Sequence, residues 1–308
     1  MIPDNPFPIL SPGLARERFL VRDDSWETRF RPNFNQFIIA SLEYTRSVIK
    51  LPVPPARTEN HALFLLTGGE VEITIGHRAY TLTARDLVII PALQIFSLVT
   101  IRDDTTGFMC FFSNETLSGA MNDADFDFLK LTSNSLIALS ATQIGFLINI
   151  FERLVIEYAE SGASRTDLIR PYLLALLAEI DRAYVGTTPA KTDASDRLVQ
   201  GFMDLLTVHI RQKYQVAQYA DLLNVSPNHF NKAIKARTGK SPSVWIDERR
   251  VLEAKVWLFQ STLTIGQIAT ELGFDDQSNF GKLFRKYAHV SPTRFRNRYA
   301  DPSDRRPE

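Results

Sequence analysis

The chain has 308 residues, 44% of them hydrophobic, and its 35 Lys and Arg balance 35 Asp and Glu. That is enough apolar material for two domains with cores of their own. A single cysteine, Cys110, excludes an intrachain disulfide and fits a reducing compartment, while the lack of any apolar run near the ~18 residues that span a bilayer excludes a membrane helix. The opening residues, Met1-Ile-Pro-Asp-Asn-Pro, place no basic stretch before an apolar one, so no export signal is read there and a cytoplasmic location is expected.

Residues 35 to 113 read as short strands. Val71, Ile73 and Ile75 alternate with polar residues before Gly76-His77, and Tyr80, Leu82, Leu87 to Ile90 and Phe108 to Phe112 follow between turn signals, a meander or barrel pattern. Cys110 lies inside the last of these runs and is expected to be a core residue. Metal chemistry would require a cluster of His and carboxylate ligands. This part of the chain offers only His61, read as a structural or pocket-lining residue, and His77, at a hairpin turn; Gln94 and Phe96 stand where a late histidine ligand would be expected. No metal or cofactor is therefore expected. Phe64, Phe96, Phe108 and Phe111 are either ordinary core or the lining of an apolar pocket.

Two helical stretches come next. In the first, Ile144, Leu147, Ile148, Phe151, Leu154, Val155 and Tyr158 form a broad apolar stripe that ends at Ser161-Gly162-Ala163-Ser164. In the second, running to Tyr184, the stripe is Leu173, Leu176, Leu177 and Ile180, and Pro171 marks a start or a bend. Such a hairpin can bury its stripes against the strands of its own chain or against a second copy. Residues 185 to 195 contain almost nothing to bury and read as a linker.

The C-terminal part contains one helix–turn–helix pattern written twice. Val216, Tyr219, Ala220 and Leu223 stand at i, i+3, i+4 and i+7, and after a short turn Phe230, Ala233, Ile234 and Arg237 repeat the spacing. Ile265, Ile268, Ala269 and Leu272 follow the first set by 49 residues; Phe280, Leu283, Phe284 and Tyr287 follow the second by 50, so the second turn is one residue longer. Repetition at a fixed period argues for two copies of one supersecondary unit, and units of this kind commonly bind DNA. Ser226-Pro227 is a helix start, with a capping hydroxyl and a proline that needs no amide partner. Val244 to Gln260 reads as one long helix that holds the two copies apart.

The outward faces of the two second helices also agree. Asn228, Asn231, Lys232 and Lys235 form a stripe on one, and Ser278, Gly281, Lys282 and Arg285 form the same stripe on the other. On one helix alone this is an ordinary solvated face. Two copies in register instead suit a major groove, where amides pair with adenine and cations with guanine or phosphate. Charge divides along the same boundary: from residue 195 onward there are 18 Lys and Arg against 12 Asp and Glu, net +6, leaving 17 against 23, net −6, before it. A basic C-terminal half fits duplex DNA as its partner.

Residues 198 to 298 resemble the AraC/XylS family of bacterial transcription regulators. The resemblance rests on Ala220, Leu223, Ser226-Pro227, Phe230, Gly239, Ser241-Pro242, Arg250, Ala254, Ile265 and Ile268-Ala269, and on the dense run Gly273-Phe274, Gln277-Ser278, Phe280, Phe284, Ser291-Pro292 and Phe295-Arg296. His289 departs from it, standing where the family has Gly; either His289 takes up a left-handed conformation at some strain, or the helix ends differently. A weaker similarity, carried by His61 through Gly68-Gly69 and by Asp86 to Pro91, is to the cupin-like sensing domain of such regulators. It implies a pocket for a small effector, and it implies that the helical hairpin dimerises.

The reading is therefore an α+β chain of two domains: a cupin-like β-barrel with a helical hairpin over 1–185, a linker over 186–197, and an all-α double helix-turn-helix DNA-binding domain over 198–300. The expected base contacts are Asn228, Asn231, Lys232, Gln277, Ser278, Asn279 and Lys282, and the expected phosphate contacts are Lys235, Arg237, Lys240, Arg285, Lys286 and Arg294. Gly281 supplies no side chain where Asn231 stands, and the resemblance implies that the second helix can serve mainly to hold the DNA backbone. A rigid spacer lets both helices enter successive turns of one DNA face about 34 Å apart. If the spacing misses the pitch, bending the duplex costs of order 1 to 6 kcal/mol. A homodimer is expected, with a small-molecule effector and RNA polymerase as candidate partners, and no enzymatic activity. Two other readings stay open: a constitutive regulator whose N-terminal domain only dimerises, and a cupin enzyme tethered to DNA, for which the sequence brings no catalytic residues together.

Overall fold

A computed structural model of the chain describes residues 8–10, 18–20, 35–117, 126–131, 133–185 and 193–299. The chain divides into two compact units between Thr188 and Pro189.

The first unit opens with β1 (Phe37–Ser41) and α1 (Leu42–Val48). Seven strands follow: β2 (Val53–Arg57), β3 (His61–Gly68), β4 (Val71–Ile75), β5 (Arg78–Leu82), β6 (Asp86–Ile90), β7 (Ile95–Ile101) and β8 (Thr106–Phe112). After the short helix α2 (Asn114–Leu117) comes β9 (Leu136–Ala138), and then the two long helices α3 (Ala141–Ser161) and α4 (Thr166–Val185). The strands form two antiparallel sheets, a five-stranded one in the order β1-β8-β3-β6-β9 and a four-stranded one in the order β2-β7-β4-β5.

These sheets are stacked, and the pleat decides what each residue meets. Alternate residues of a strand face opposite sides. On β3, Ala62, Phe64 and Leu66 enter a core shared with Val71, Ile73, Ile75, Phe96 and Leu98 of the smaller sheet. Leu63 and Leu65, with Cys110 and Phe112 of β8, enter a second core with Leu147, Phe151 and Leu154 of α3 and Leu173, Leu176, Leu177 and Ile180 of α4. Because β3 is covered on both faces, it reads as an unbroken apolar run. The order of layers is sheet, sheet, helical hairpin. Ser140 caps α3 in a reciprocal box with Gln143, and Phe108 stacks on Phe151 with ring centroids 5.3 Å apart. The hairpin thus buries its stripes against its own chain, and α4 continues without a break from Thr166 past Pro171, which is not its start.

Among the described residues the strands form two open sheets and not the single closed barrel expected; β1 and β9 are edges of one sheet and β2 and β5 are edges of the other. Alternation in sequence tells which faces are buried, but a barrel and two stacked sheets bury the same alternating residues.

The second unit is helical among the described residues. Its helices are α5 (Ala194–His209), α6 (Val216–Leu222), α7 (Pro227–Thr238), α8 (Pro242–Gln260), α9 (Ile265–Glu271), α10 (Gln277–Ala288) and α11 (Pro292–Tyr299). Helix α5 begins at Ala194 with Asp193 as its cap, so residues 194–197, assigned to a linker by the sequence, are part of this unit's first helix, while residues 186–192 of that linker lie outside the described residues. The two modules have separate cores. Phe202, Met203, Leu206, Tyr219, Ala220, Phe230, Ile234 and Ile246 build the first; Val251, Ala254, Trp257, Leu258, Ile268, Ala269, Phe280, Phe284 and Phe295 build the second. Helix α8 contributes to both and spans the gap as the long periodic stretch implied.

Candidate nucleic-acid interface and inner cavity

Helix α7 starts where its sequence dictates. Ser226 Oγ accepts the amide of His229 at 3.3 Å, and Pro227 occupies the first turn. Phe230 and Ile234 then point inward, with the Phe230 ring edge-to-face against Phe202 at 5.0 Å. Burial of that face leaves Asn228, Asn231, Lys232 and Lys235 exposed on the other. Helix α10 repeats the construction with a different cap. Asp276 accepts the amide of Asn279 at 2.8 Å, Phe280 and Phe284 turn inward, and Gln277, Ser278, Asn279, Lys282, Arg285 and Lys286 are exposed. The intervening turns are residues 223–226 and 272–276, the second one residue longer, as the repeat spacing required.

All thirteen candidate contact residues are therefore exposed, but they are not equally available. Asn231 Nδ2 donates to its own helix at the Pro227 carbonyl, 2.9 Å away, and Asn279 Nδ2 donates to Asp276 at 2.6 Å. Each of these amides thus has one N–H already engaged, leaving its oxygen and its second N–H for a bidentate contact to adenine. Arg237 is held from two sides: its guanidinium donates to Asp196 at 2.7 and 2.8 Å and to Asp193 at 2.9 Å. This fork keeps the Asp196 carboxyl below the usual carboxylate range. Lys240 pairs with Glu248 at 2.7 Å and lies over the Trp245 ring at 4.9 Å. Lys232, Lys235, Lys282, Arg285, Lys286 and Arg294 make no ion pair among the described residues, so their charge is open to phosphate, although Lys286 lies over the Tyr287 ring at 4.9 Å.

Some basic residues of this unit serve the fold instead. Arg296 donates to the Leu258 and Leu263 carbonyls at 3.3 and 2.6 Å, closing α11 onto the end of α8. Arg249 and Glu253, one turn apart on α8, form a buried pair at 3.0 Å. His289 does take up the left-handed conformation, with φ 60 and ψ 6, and its amide still closes α10 on the Arg285 carbonyl at 3.0 Å. Gly239 does the same for α7 with φ 76 and ψ −8. Gly281 faces open space, with nothing within 4 Å of where a Cβ would stand. Lys213, which the sequence did not single out, makes a contact between the modules, its ammonium donating to the Thr270 carbonyl at 3.0 Å.

The first unit holds a cavity of about 110 Å³ between its two sheets. Phe64, Met109 and Phe111 line it from one sheet, Val53, Phe96 and Leu98 from the other, and Tyr44, Thr45 and Val48 of α1 form a wall. Three of the four phenylalanines named from sequence meet there. Phe108, one residue out of phase, lies on the opposite face against Phe151. The polar groups at the wall are already engaged: Thr45 Oγ1 donates to the Ser41 carbonyl at 2.8 Å and Asn60 Nδ2 to the Asn35 carbonyl at 3.1 Å. His61 is a tied structural residue. Its Nδ1 accepts the Ala92 amide at 3.0 Å, its Nε2 lies 2.6 Å from Asn114 Oδ1, and its ring stacks on Phe112. His77 sits in the turn between β4 and β5.

Comparison with known proteins finds a family of helix-turn-helix domains matching residues 219–298. The lactose operon transcription activator of Staphylococcus xylosus is 20% identical over 243 residues, which cover 79% of this chain and 85% of that protein. The arabinose operon regulatory protein of Escherichia coli (strain K12) is 29% identical over 83 residues, 27% of this chain and 28% of that protein. Among solved structures, unsaturated fatty acid bound wild-type ToxT from Vibrio cholerae strain SCE256 is similar at a TM-score of 0.40 and 16% identity, covering 87% of this chain and 97% of that one.

Proposed function

We propose that the protein is a transcription regulator of the AraC/XylS type, a reading supported by the helix-turn-helix match over residues 219–298, and that it reads a two-part DNA site with α7 and α10 under the control of a small molecule bound in the first unit. The observation that carries the DNA half is the repeated build of the two helices. Each is capped at its start, anchored by buried phenylalanine, and exposes amides and unpaired cations on the side away from its core. Asn228, Lys232, Gln277, Ser278 and Lys282 are the readiest base contacts; Asn231 and Asn279 join them with the oxygen and the second N–H of amides whose first N–H is engaged. Lys235, Arg285, Lys286 and Arg294 are the phosphate contacts. Arg237 and Lys240 would first exchange a carboxylate for a phosphate. Selection of binding sites by the full chain tests this reading: an enriched sequence in two parts one helical turn apart supports it, and recovery of no sequence overturns it.

The sensing half of the proposal rests on the cavity. Its walls are apolar and its polar groups already have partners, so it suits an uncharged, largely apolar ligand whose buried part is on the order of a single ring, the class of molecule that apolar cavities of this scale accept. Reciprocal linkage requires such a ligand to change DNA affinity as DNA changes its affinity. Filling the cavity with Ala40→Phe should abolish stabilisation by hydrophobic compounds that raise the melting temperature of the unaltered chain. Stabilisation by no compound would favour the constitutive alternative, and stabilisation by charged metabolites alone would overturn the apolar ligand class. In this reading the protein works in the cytoplasm as a homodimer. The apolar residues that α3 leaves exposed, Phe146 at 52% and Ile156 at 53%, support the dimer. RNA polymerase is the further partner.

A further inference from the structure

The two modules have separate cores, and a single helix joining two cores fixes their separation better than their relative rotation. A second point of contact exists. Lys213 follows the 3₁₀ turn Ile210–Gln212 of the first module, in a left-handed conformation with φ 59 and ψ 28, an arrangement that is uncommon for a residue other than glycine. Its ammonium donates to the carbonyl of Thr270 at 3.0 Å, across to the last turn of α9 in the second module. The same carbonyl accepts the Gly273 amide at 3.0 Å, so Lys213 adds a second donor to it, and a cation at the end of a helix is favoured by the helix dipole.

Gly273 makes the approach feasible. It has φ +83, and a Cβ at that position would stand 2.7 Å from Lys213 Cδ and 2.9 Å from Cγ. The lysine stem therefore lies in the space that a side chain would fill. Tyr214, next in the chain, is held against His209 and Tyr219, with ring centroids 5.7 Å apart in each case, so the turn carrying Lys213 is itself anchored in the first core. From α8, the Arg250 guanidinium lies 5.9 Å from the Phe274 ring, beside the same glycine. The path from the first core to the second thus closes on itself, through α8 on one side and through Lys213 on the other.

We propose that Lys213 is a positioning residue for DNA recognition: by bridging the modules at Thr270 and Gly273, it sets the rotation between α7 and α10 and hence the spacing of the two half-sites the protein accepts. The proposal rests on the DNA-binding reading above. It is tested in the full chain by titrating a selected two-part site and versions with one base pair inserted or removed between the parts. Lys213→Arg keeps a cation and a long stem, Lys213→Met keeps a stem without the donor, and Lys213→Ala removes both. Misplacing one recognition helix should cost as much as a mismatched base pair, so Lys213→Ala should lose about tenfold on the selected site. It should lose much less on the altered spacings, flattening the preference, while Lys213→Arg retains it and Lys213→Met falls between.

Thermal melting of Lys213→Ala serves as the control for folding. An unchanged spacing profile in Lys213→Ala overturns the proposal. So does an equal loss at every spacing with a salt slope reduced by about one unit, which is the mark of a direct phosphate contact. Failure of the unaltered chain to bind any DNA would overturn the DNA-binding reading itself, a result distinct from either.

Discussion

His289→Gly should stabilise the DNA-binding unit, and Gly239→Ala should destabilise it, because the two residues end equivalent helices in the same left-handed backbone region. For an L residue that region costs roughly 1 to 2 kcal/mol, less for polar residues that tolerate it. Glycine removes the cost but loses more freedom on folding, so the net gain from His289→Gly is about 0.5 to 1 kcal/mol. In Gly239→Ala nothing lies within 4 Å of the new methyl, so space does not limit the substitution. Its cost is the backbone term alone, about 1 to 2 kcal/mol. For a unit of this size a gain of about 0.5 to 1 kcal/mol raises the melting temperature by about 2 to 8 °C. Trp245 and Trp257, both on α8, report this unit by fluorescence once Trp26 is replaced by Phe. The full chain with that replacement is the reference for thermal and urea unfolding. A neutral Gly239→Ala would refute the reasoning. Loss of stability in His289→Gly together with loss in Gly239→Ala would show that the His289 side chain contributes more than its backbone costs.

Lys232→Ala should relax preference at one part of the site by roughly 1 to 3 kcal/mol, read by binding-site selection; an unchanged preference would remove Lys232 from the base contacts. Asn231→Ala should act in the same direction but more weakly, because the bond to the Pro227 carbonyl limits how freely the Asn231 amide can turn toward a base. Lys286→Ala should weaken binding to all sequences alike and reduce the salt slope by about one unit in titrations at several salt concentrations. Gly281→Ala, in the middle of an exposed helix with nothing near the new methyl, should stabilise the unit by up to about 1 kcal/mol in melting experiments. Burial pushes the Cys110 thiol far above its ordinary range and keeps it protonated. An aromatic disulfide reagent should therefore modify it only when urea unfolds the first unit.

The helices of the DNA-binding unit were legible because their signals are local. A serine before a proline, a glycine after the last turn, and apolar residues three and four apart each act within one or two turns of chain. The two starts of α7 and α8 accordingly fall at Pro227 and Pro242, next to Ser226 and Ser241. Helix α10 has no such serine–proline start, and Asp276 caps it instead, which the matching phenylalanines imply without naming. The pocket was half legible. Strand alternation puts Phe64 and Phe111 on one face, but whether Phe108 shares it depends on counting residues along β8, where 108, 110 and 112 face the helical hairpin.

What the sequence could not disclose depends on contacts between residues far apart in the chain. Arg237 belongs to the periodic stripe of α7, and nothing near it predicts that Asp193 and Asp196 will neutralise it from 44 and 41 residues away. Lys213 and Thr270 are 57 residues apart, and neither position is unusual in composition. Open sheets rather than a barrel follow from the same limit, since the apolar period is two in either case and only the pairing of edges differs. Local chemistry therefore specifies the two recognition helices and their caps, while the rotation between them rests on a contact with no local signature. If that contact sets half-site spacing, relatives that share both helices can read the same half-sites at different separations, and exchanging residues 210–214 with such a relative should transfer the spacing preference without altering the bases preferred within each half. A transfer of base preference instead would mean that the recognition helices, and not the bridge between modules, determine how the two parts are read together.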